Sequence, residues 1–450
     1  MEKVAIVLAA GKGTRMKSVH AKAAHTLCGK PMISWVCDAV REAGYDKIYV
    51  VCGHRADEIQ EILGKSVTYV LQEKQLGTGH AVQVALEAIP DLDEAEVLVT
   101  CGDTPLLRGE TLQHLSQAHG DSAVTVLSTE LETPFGYGRI IRKAGAVSAI
   151  VEEKDATEDQ KKVREINVGT YVFRLAFLKK AISALDTNNA QGEFYLTDLI
   201  AAAYVEGLGT AAYIMTNADD SLGVNNRAQL AKATLLMQER INDYWMAQGV
   251  GMINPAMTFI DAQVQLSPDV LLEAPVALKG QTHIGEGTRI GMNSELRDAK
   301  VGRDCQIDQA VICESVVGND VKIGPFAYLR PGTELADQVK VGHYVEIKNS
   351  HVGQGSKVPH LSYMGDADIG AGVNIGCGSI TCNYDGQKKY RTTIEDRVFI
   401  GSNTNLIAPV TIGEHAYIAA GSTIRKDVAG ESLTFMDTKV KSRENWNKDK

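Results

Sequence analysis

The stretch that decides the fold of the C-terminal half is residues 394–424, IEDRVFIGSNTNLIAPVTIGEHAYIAAGSTI. An aliphatic residue returns at every sixth position, at Ile394, Ile400, Leu406, Ile412, Ile418 and Ile424. Each such side chain gains about 1.5–3 kcal/mol on burial, which favours one shared core. A period of six fits neither the 3.6-residue helix nor simple strand alternation. The pattern predicts short strands separated by regular turns.

The same repeat occurs earlier in the chain, often with Gly next, at Ile284, Ile290, Leu296, Ile323, Leu329, Leu335, Val341 and Ile347. Gly and Asn tolerate the backbone conformations that sharp corners require. These features predict a β-helix whose stacked coils bury a column of aliphatic side chains. The repeat breaks at 353–368, where we expect a loop extruded from the coil, and again around 381–393.

Length and composition set the broad class. A chain of 450 residues exceeds what one core usually serves, so we expect at least two domains. The net charge of −10 disfavours nucleic-acid and anionic-membrane partners. The apolar run 4–10 is too short to span a bilayer and lacks a basic leader, so we expect a cytoplasmic protein. The eight cysteines form no Cys-x-x-Cys pair, which indicates reduced thiols.

The first half has an α/β pattern. Strand-like runs at 4–8, 47–52, 67–71, 97–100 and 123–127 alternate with helical stretches, which predicts a mainly parallel sheet with ligands at the strand C-terminal ends. A Gly-rich turn follows the first run, and the nearby cations Lys12, Arg15 and Lys22 favour a phosphate site. The pair Gly11-x-Gly13 alone is weak evidence, because many tight turns contain two glycines.

Two polar residues at segment ends suggest a metal site. Asp103 follows an apolar strand, and Asn225 precedes a helix. Carboxylate and amide oxygens suit a hard divalent ion. A turn-forming role for Asp103 and a helix N-cap role for Asn225 explain the same residues without a ligand.

The ordered motifs resemble one enzyme family over nearly the whole chain. They are 8–16 (LAAGKGTRM), Gln72, 75–79 (QLGTG), 102–106 (GDTPL), 136–138 (GYG), Glu152, 167–169 (NVG) and 223–227 (GVNNR). This combination, followed by hexapeptide repeats, is similar to the bifunctional N-acetylglucosamine-1-phosphate uridyltransferases/glucosamine-1-phosphate acetyltransferases. The resemblance implies a Rossmann-like nucleotidyltransferase domain at 1–226, a linking helix at 227–250, a left-handed parallel β-helix at 251–437 and a tail at 438–450.

For the N-terminal domain, the resemblance implies transfer of uridylate from UTP to N-acetylglucosamine 1-phosphate with Mg²⁺ as cofactor. Arg15 and Lys22 match catalytic cations, and Asp103 and Asn225 match the metal ligands. The matching UTP- and UDP-sugar-binding positions are Leu8, Ala9, Gly11, Lys22, Gln72, Gly77, Thr78, Gly138, Glu152, Asn167 and Asn225. One departure is Ala21, where the family usually has a Pro, and we expect this loop to have more conformational freedom.

For the C-terminal domain, the resemblance implies acetyl transfer from acetyl-CoA to glucosamine 1-phosphate in a homotrimer with active sites between subunits. His360 matches the base, and histidine as a residue type suits acid–base chemistry at neutral pH. Asn383 matches a residue that positions the amine. Positions that bind the amino-sugar phosphate match Arg330, Lys348, Tyr363, Asn374 and Lys389. Positions that bind acetyl-CoA match Asn383, Tyr384, Ser402 and Ala420.

The tail departs from the family. Asp437 stands where an Arg usually binds the coenzyme phosphates, so we expect either that Lys439, Lys441 or Arg443 replaces it, with Trp446 packing on the coenzyme, or that the coenzyme binds more weakly. A flexible basic tail with one aromatic residue explains the same sequence without a ligand. Helical spacing at 227–248 predicts a linking helix whose aromatic end, Tyr244 and Trp245, packs on the first coils.

Two other functions remain open. One is a sugar-phosphate nucleotidyltransferase whose β-helix only oligomerises, and the other is a trimeric scaffold without activity. His360 and Asn383 disfavour the first.

Overall fold

The computed structural model describes residues 2–90, 92, 94–437, 441–444 and 446. The chain divides into two compact units, Met1–Met237 and Gln238–Lys450. The division falls inside the helix Arg227–Ala247, which corresponds to the expected linking helix. Each unit is built around its own core.

The described part of the first unit contains a nine-stranded sheet and a separate hairpin. In chain order the strands are β1 Glu2–Ala9, β2 Thr26–Leu27, β3 Lys30–Pro31, β4 Lys47–Cys52, β5 Thr68–Leu71, β6 Ala95–Cys101, β7 Val124–Glu130, β8 Arg139–Lys143, β9 Ala146–Val151, β10 Glu165–Arg174 and β11 Thr210–Ile214. The helices are α1 Met32–Glu42, α2 Ala56–Leu63, α3 Thr78–Ala88, α4 Gly109–His119, α5 Glu158–Lys161, α6 Leu175–Ile182, α7 Asp198–Val205 and α8 Arg227–Ala247.

The sheet order is β11-β7-β10-β6-β1-β4-β5, with β8 and β9 joined through β10 and with β2 and β3 forming the hairpin. Its pairs are parallel except those of β10 and of the β8–β9 ribbon, so the expected mainly parallel sheet is confirmed. Alternate residues of β1 enter different cores, Val4 and Ile6 on one face and Ala5 and Val7 on the other. Burial on both faces explains why this strand is continuously apolar.

The second unit is a left-handed parallel β-helix with three faces, as expected. Along the described chain, the first face comprises Gly251–Met252, Leu271–Leu272, Arg289–Ile290, Gln306–Ile307, Lys322–Ile323, Lys340–His343, Lys357–His360, Asn374–Ile375, Phe399–Ile400, Tyr417–Ile418 and Leu433–Thr434. The second comprises Thr258–Ile260, Val276–Lys279, Ser294–Arg297, Val311–Cys313, Tyr328–Leu329, Glu346–Lys348, Tyr363–Gly365, Ile380–Cys382, Asn405–Ile407 and Thr423–Ile424. The third comprises Gln265–Leu266, His283–Ile284, Lys300–Val301, Val316–Val317, Glu334–Leu335, His351–Val352, Ala367–Ile369, Thr392–Ile394 and Val410–Ile412.

The aliphatic repeat forms the core of the coils. Every repeat residue named from the sequence is buried, and the column also includes Val301, Ile307, Ile312, Val317, Val352, Val358, Met364, Ile369 and Ile375. Each strand pairs in parallel with the strand one coil further on, so identical positions stack. The six-residue repeat in the sequence therefore corresponds to one buried core with three sides.

The extruded loop expected at 353–368 is absent, and that prediction was wrong. Residues Lys357–His360 and Tyr363–Gly365 are ordinary coil strands, and Val341 pairs with Val358 in regular register. The rhythm breaks there because two steps, from Ile347 to Val352 and from Met364 to Ile369, are each five residues long rather than six. A corner that is one residue shorter still directs the aliphatic side chain of the next strand into the core.

The second break is an insertion. Ile375 pairs with Ile400 one coil away, whereas Ile400 pairs with Ile418, so the coil that contains 381–393 is longer than its neighbour by seven residues. Within it, Tyr384 and Lys389 form an antiparallel bridge. The extra residues form a small excursion at the corner between the second and third faces.

The end of α8 packs on the first coils as expected. Trp245 joins the β-helix core with Val250 and Ile260, whereas Tyr244 is exposed. The Asn242 side chain donates hydrogen bonds to the carbonyl oxygens of Pro255 and Thr258, at 2.8 and 3.0 Å. This polar contact supplements the apolar packing.

Two further features concern the whole chain. All eight cysteines are free thiols. Among the described residues, no helix combines the length and apolar character needed to cross a membrane.

We expect Ile307→Ala to destabilise the β-helix by about 2–5 kcal/mol, because it empties a fully buried core position. Gln306→Ala, at the exposed adjacent position, should change stability by less than about 0.5 kcal/mol. Urea unfolding followed by circular dichroism measures both. Equal effects of the two substitutions would contradict the assignment of the column.

Candidate active sites

The first unit has a pocket of about 350 Å³ where β1 and β6 end. Of the residues predicted for UTP and metal binding, it is lined by Leu8, Ala9, Gly11, Lys22, Gln72, Gly77, Thr78 and Asp103. Leu8 pairs with Cys101 in the sheet, so the Gly-rich turn and the segment that carries Asp103 leave the same edge. Sequence reasoning assigned no role to three other lining residues, which are Gln75 inside the motif 75–79 and, outside the quoted motifs, Cys101 and Glu193.

The Gly-rich turn lies against Lys22. Gly13 has a φ of +59°, and a Cβ atom on it would lie 2.8 Å from the Cβ of Lys22. Only glycine combines this left-handed backbone with so close an approach. The turn therefore fixes where the Lys22 side chain starts.

Four predicted residues from separate segments meet beside the pocket. The Lys22 ammonium donates to the Asp103 carboxylate and, at 3.2 Å, to Oδ1 of Asn225. Arg15 Nη2 donates to the same oxygen at 2.9 Å. The amide of Val224 donates to the Asp103 carbonyl oxygen at 2.9 Å, which ties the two segments together.

The N-cap of α8 is Asn226 rather than Asn225. Oδ1 of Asn226 accepts a hydrogen bond from the amide of Gln229 at 2.9 Å, as an N-cap side chain does. The Asn225 side chain instead faces Arg15 and Lys22. The capping alternative for Asn225 is therefore wrong.

The oxygens of Asp103 and Asn225 converge on one cation, the Lys22 ammonium. A carboxylate and an amide oxygen are the hard ligands that Mg²⁺ prefers, so these residues fit that ion. Among the described residues, His, Cys, Asp and Glu side chains form no cluster of three or more that could hold a metal. A two-ligand site suits Mg²⁺, which usually keeps waters and takes substrate phosphates as further ligands.

Three residues predicted for UDP-sugar binding, Gly138, Glu152 and Asn167, form a cluster next to the pocket. The amide of Asn167 donates to the Gly138 carbonyl oxygen at 2.9 Å, and a Cβ on Gly138 would lie 3.3 Å from Oε1 of Glu152. Burial raises the pKa of Glu152, although a hydrogen bond from the Thr197 hydroxyl acts in the opposite direction. Sequence reasoning missed Thr197. The Cys101 thiol, which lines the pocket, contacts the carbonyl of Gly169, so the cluster adjoins the pocket.

The second unit carries its predicted base at the corner between the first and second faces. His360 ends its strand and is exposed, with Nδ1 3.2 Å from Nε2 of His343 in the preceding coil. The two residues are in register, each two positions after an inward Val. Sequence reasoning missed His343, although its place in the repeat is the same as that of His360.

The same repeat position forms a surface column that we call the corner column: His343, His360, Cys377, Ser402 and Ala420. The members that follow His360 in later coils, Cys377, Ser402 and Ala420, have small side chains. A Cβ on Gly401 would lie 2.5 Å from the amide nitrogen of Ala420, so the coils are tightly stacked. Three predicted residues, the base and two coenzyme positions, thus lie along one line.

A cationic cluster lies at the next corner. The buried Asn383 side chain donates to the Asp366 carboxylate, which also accepts from Asn349. Burial raises the pKa of Asp366, but these hydrogen bonds and the nearby Lys348 and Lys389 lower it below its ordinary value. The close contact with Lys389 lowers the pKa of Lys348. Sequence reasoning missed Asp366, which joins the predicted residues.

The other predicted residues of this unit are distributed around these two corners. Arg330 Nη1 donates to Glu346 Oε1 at 2.7 Å on the second face, and Tyr363 is in register with Glu346 one coil on. Tyr384 is exposed on the inserted excursion. Asn374 is not brought to this group, because it lies on the first face in register with Lys357.

In the tail, Asp437 and Lys441 are exposed, and the Arg443 guanidinium lies 5.0 Å from the centre of the exposed Trp446 ring. Lys439 lies outside the described residues.

Comparison with known proteins agrees with this geometry. The family described as the MobA-like NTP transferase domain matches residues 5–165, and the bacterial transferase hexapeptide repeat matches residues 314–349 and 391–426. The chain is similar to the bifunctional protein GlmU of Heliobacterium modesticaldum, with 49% identity over 99% of this chain and 98% of that protein. Similar proteins of the same name occur in Desulfitobacterium hafniense, strain Y51, at 47% identity, and in Trichlorobacter lovleyi at 46%.

Those two matches also cover nearly the full length of both chains, at 99% and 98% of this chain. The nucleotidyltransferase match falls on the unit with the pocket, and the hexapeptide match falls on the β-helix. The chain therefore belongs to the bifunctional GlmU family, which combines uridyltransferase and acetyltransferase activities.

Proposed function

We propose that the corner column and the pocket are the two active sites of this bifunctional enzyme, and that together they make UDP-N-acetylglucosamine. The β-helix would acetylate glucosamine 1-phosphate, and the first unit would then transfer uridylate to the product. The observation that carries the proposal is the alignment of His360 with Ser402 and Ala420. A β-helix that only oligomerises would also stack these positions, but it gives no reason for a histidine to be followed by small side chains along one corner.

In uridyl transfer, the phosphate of N-acetylglucosamine 1-phosphate attacks the α-phosphorus of UTP, and pyrophosphate leaves. The attacking oxygen is already anionic, so the protein has mainly to align the groups and stabilise charge. Arg15 and Lys22 would neutralise the phosphates. Asp103 and Asn225 would hold Mg²⁺, which when bound supplies further neutralisation and orientation of the phosphates.

In acetyl transfer, the amine must lose a proton before it attacks the thioester carbonyl of acetyl-CoA. His360 would take that proton, the amide bond would form as the carbon–sulfur bond of the thioester breaks, and the second proton lost by the nitrogen would go to the leaving sulfur, which releases CoA as the thiol. With Nδ1 of His360 donating to His343, the other ring nitrogen keeps the lone pair that a base needs. The small residues above His360 would leave room for the pantetheine arm, while Asn383 would position the amine and Tyr384 would contact the coenzyme.

Arg330, Lys348 and Lys389 would bind the sugar phosphate together with Tyr363. Asn374 matches the same substrate site, yet it lies on another face of the coil. A site between subunits of a homotrimer would let residues from different faces of the prism reach one ligand, so this placement supports that assembly. We also propose a cytoplasmic location, which suits eight free thiols, and the domain bounds 1–226, 227–250, 251–437 and 438–450.

A coupled assay with glucosamine 1-phosphate, acetyl-CoA, UTP and Mg²⁺ tests the two-site account. His360→Ala should slow acetyl transfer by about 10²–10⁴-fold, because it removes the base, and should leave uridyl transfer unchanged. Lys22→Ala should slow uridyl transfer by about 10²-fold and spare acetyl transfer. Each variant is the other's control. Loss of both reactions in a folded single variant would contradict separate sites.

His343→Phe should lower kcat of acetyl transfer by about tenfold with little change in KM, because it removes the partner of Nδ1 in His360. His343→Asn retains a side chain that can accept a hydrogen bond and should lose less. Steady-state kinetics with glucosamine 1-phosphate distinguish the two. If both variants equalled the native enzyme, His343 would have no positioning role.

Subunit mixing tests the shared site. Asn374→Ala and Lys348→Ala should each reduce acetyl transfer, and refolding an equal mixture should restore part of the activity. Mixed trimers would contain some interfaces with both residues intact. A mass of one chain, 48.6 kDa, in sedimentation, or mixtures no more active than the separate variants, would contradict the intersubunit site.

A further inference from the structure

We propose that Glu58 is a positioning residue for uridyl transfer, which clamps the loop that carries Lys22 through the backbone of Ala21. The inference deepens the function proposed above and rests on the role of Lys22 in it. Glu58 lies outside the pocket and matches none of the motifs on which the resemblance rests.

Glu58 stands in the first turn of α2 and holds two consecutive residues of the loop. Its Oε2 accepts a hydrogen bond from the amide of Ala21 at 2.7 Å, and its Oε1 lies 2.7 Å from Nδ1 of His20. The Glu58 side chain is 17% exposed, whereas that of His20 is 60% exposed. The better-shielded contact is therefore the one with the backbone of Ala21.

That backbone contact exists only because residue 21 is not proline. Proline lacks the N–H group that Ala21 donates to Glu58. Yet Ala21 has φ −55° and ψ 140°, and this φ lies in the range that a proline ring would impose. The chain thus keeps a proline-like conformation without the ring, and a hydrogen bond to a carboxylate holds it.

The clamp acts directly on the start of Lys22. Lys22 opens a short 3₁₀ helix immediately after Ala21, and its ammonium reaches Asp103 and Asn225. Val19, which precedes the two clamped residues, is also held, because Nη1 of Arg55, the residue before α2, donates to its carbonyl oxygen at 2.9 Å. Loss of the clamp would free the backbone beside Lys22 and so lower the fraction of time its ammonium is aligned.

The charge of Glu58 suits this role. Burial raises the pKa of Glu58, but the hydrogen bonds from Ala21 and His20 outweigh it and lower the pKa below its ordinary value. The side chain is therefore an anionic acceptor at neutral pH, and hydrogen bonds to ionised groups are stronger than those between neutral groups.

A double-mutant cycle in the full-length enzyme tests the proposal. Glu58→Ala should lower kcat of uridyl transfer about tenfold, equivalent to about 1.4 kcal/mol, with a smaller change in KM for UTP. In an Ala21→Pro background, where the ring fixes φ, Glu58→Ala should cost less than about twofold. Glu58→Gln retains an acceptor and should lie between the native enzyme and Glu58→Ala. Glu61→Ala, at an exposed position of α2, is the matched control and should leave the rate unchanged.

The outcomes separate the clamp from the proposed function. Equal losses on Glu58→Ala in the Ala and Pro backgrounds would overturn the clamp, as would no loss in either. A large loss on Lys22→Ala with none on Glu58→Ala would overturn the clamp alone. No loss on Lys22→Ala would overturn both. Acetyl transfer, measured on every variant, should stay unchanged and verifies that each protein is folded.

Discussion

Burial of one aliphatic side chain on each face of each coil is the interaction on which the C-terminal half depends. The inward positions are used almost wholly by the core, so the outward positions are free to differ from coil to coil. Parallel pairing spaces equivalent positions by about 4.8 Å, the distance between neighbouring strands. This fixed spacing between coils places the members of the corner column in one line, without any loop to arrange them.

The repeat could be predicted from sequence because its period is incompatible with other structures, but the meaning of its breaks could not. A five-residue step and an extruded loop interrupt the pattern alike, and only the pairing of Val341 with Val358 distinguishes them. Thr381 shows a related difficulty. It occupies an inward position, where its hydroxyl forms hydrogen bonds with the backbone of Gly365. A search for a repeat of aliphatic residues therefore does not detect it.

The first site was predictable where a motif is contiguous, as at Leu8 to Gly11, and where a strand ends, as at Asp103. Where the contact joins distant segments, the residues alone left alternative roles open. Asn225 and Asn226 are adjacent and chemically identical, yet one caps α8 and the other faces Lys22. His343 and Asp366 escaped notice for the same reason, because their partners lie one coil away at a spacing that depends on corner length.

We propose that acetyl-CoA meets its acceptor at the corner column. A crystal structure of the protein with CoA and glucosamine 1-phosphate would test this placement. We expect the pantetheine arm to run past Ala420 and Ser402, with its sulfur and the amine of the sugar within hydrogen-bonding reach of His360. Coenzyme bound along a different face, with His360 remote from its sulfur, would show that the acetyl-transfer site lies elsewhere.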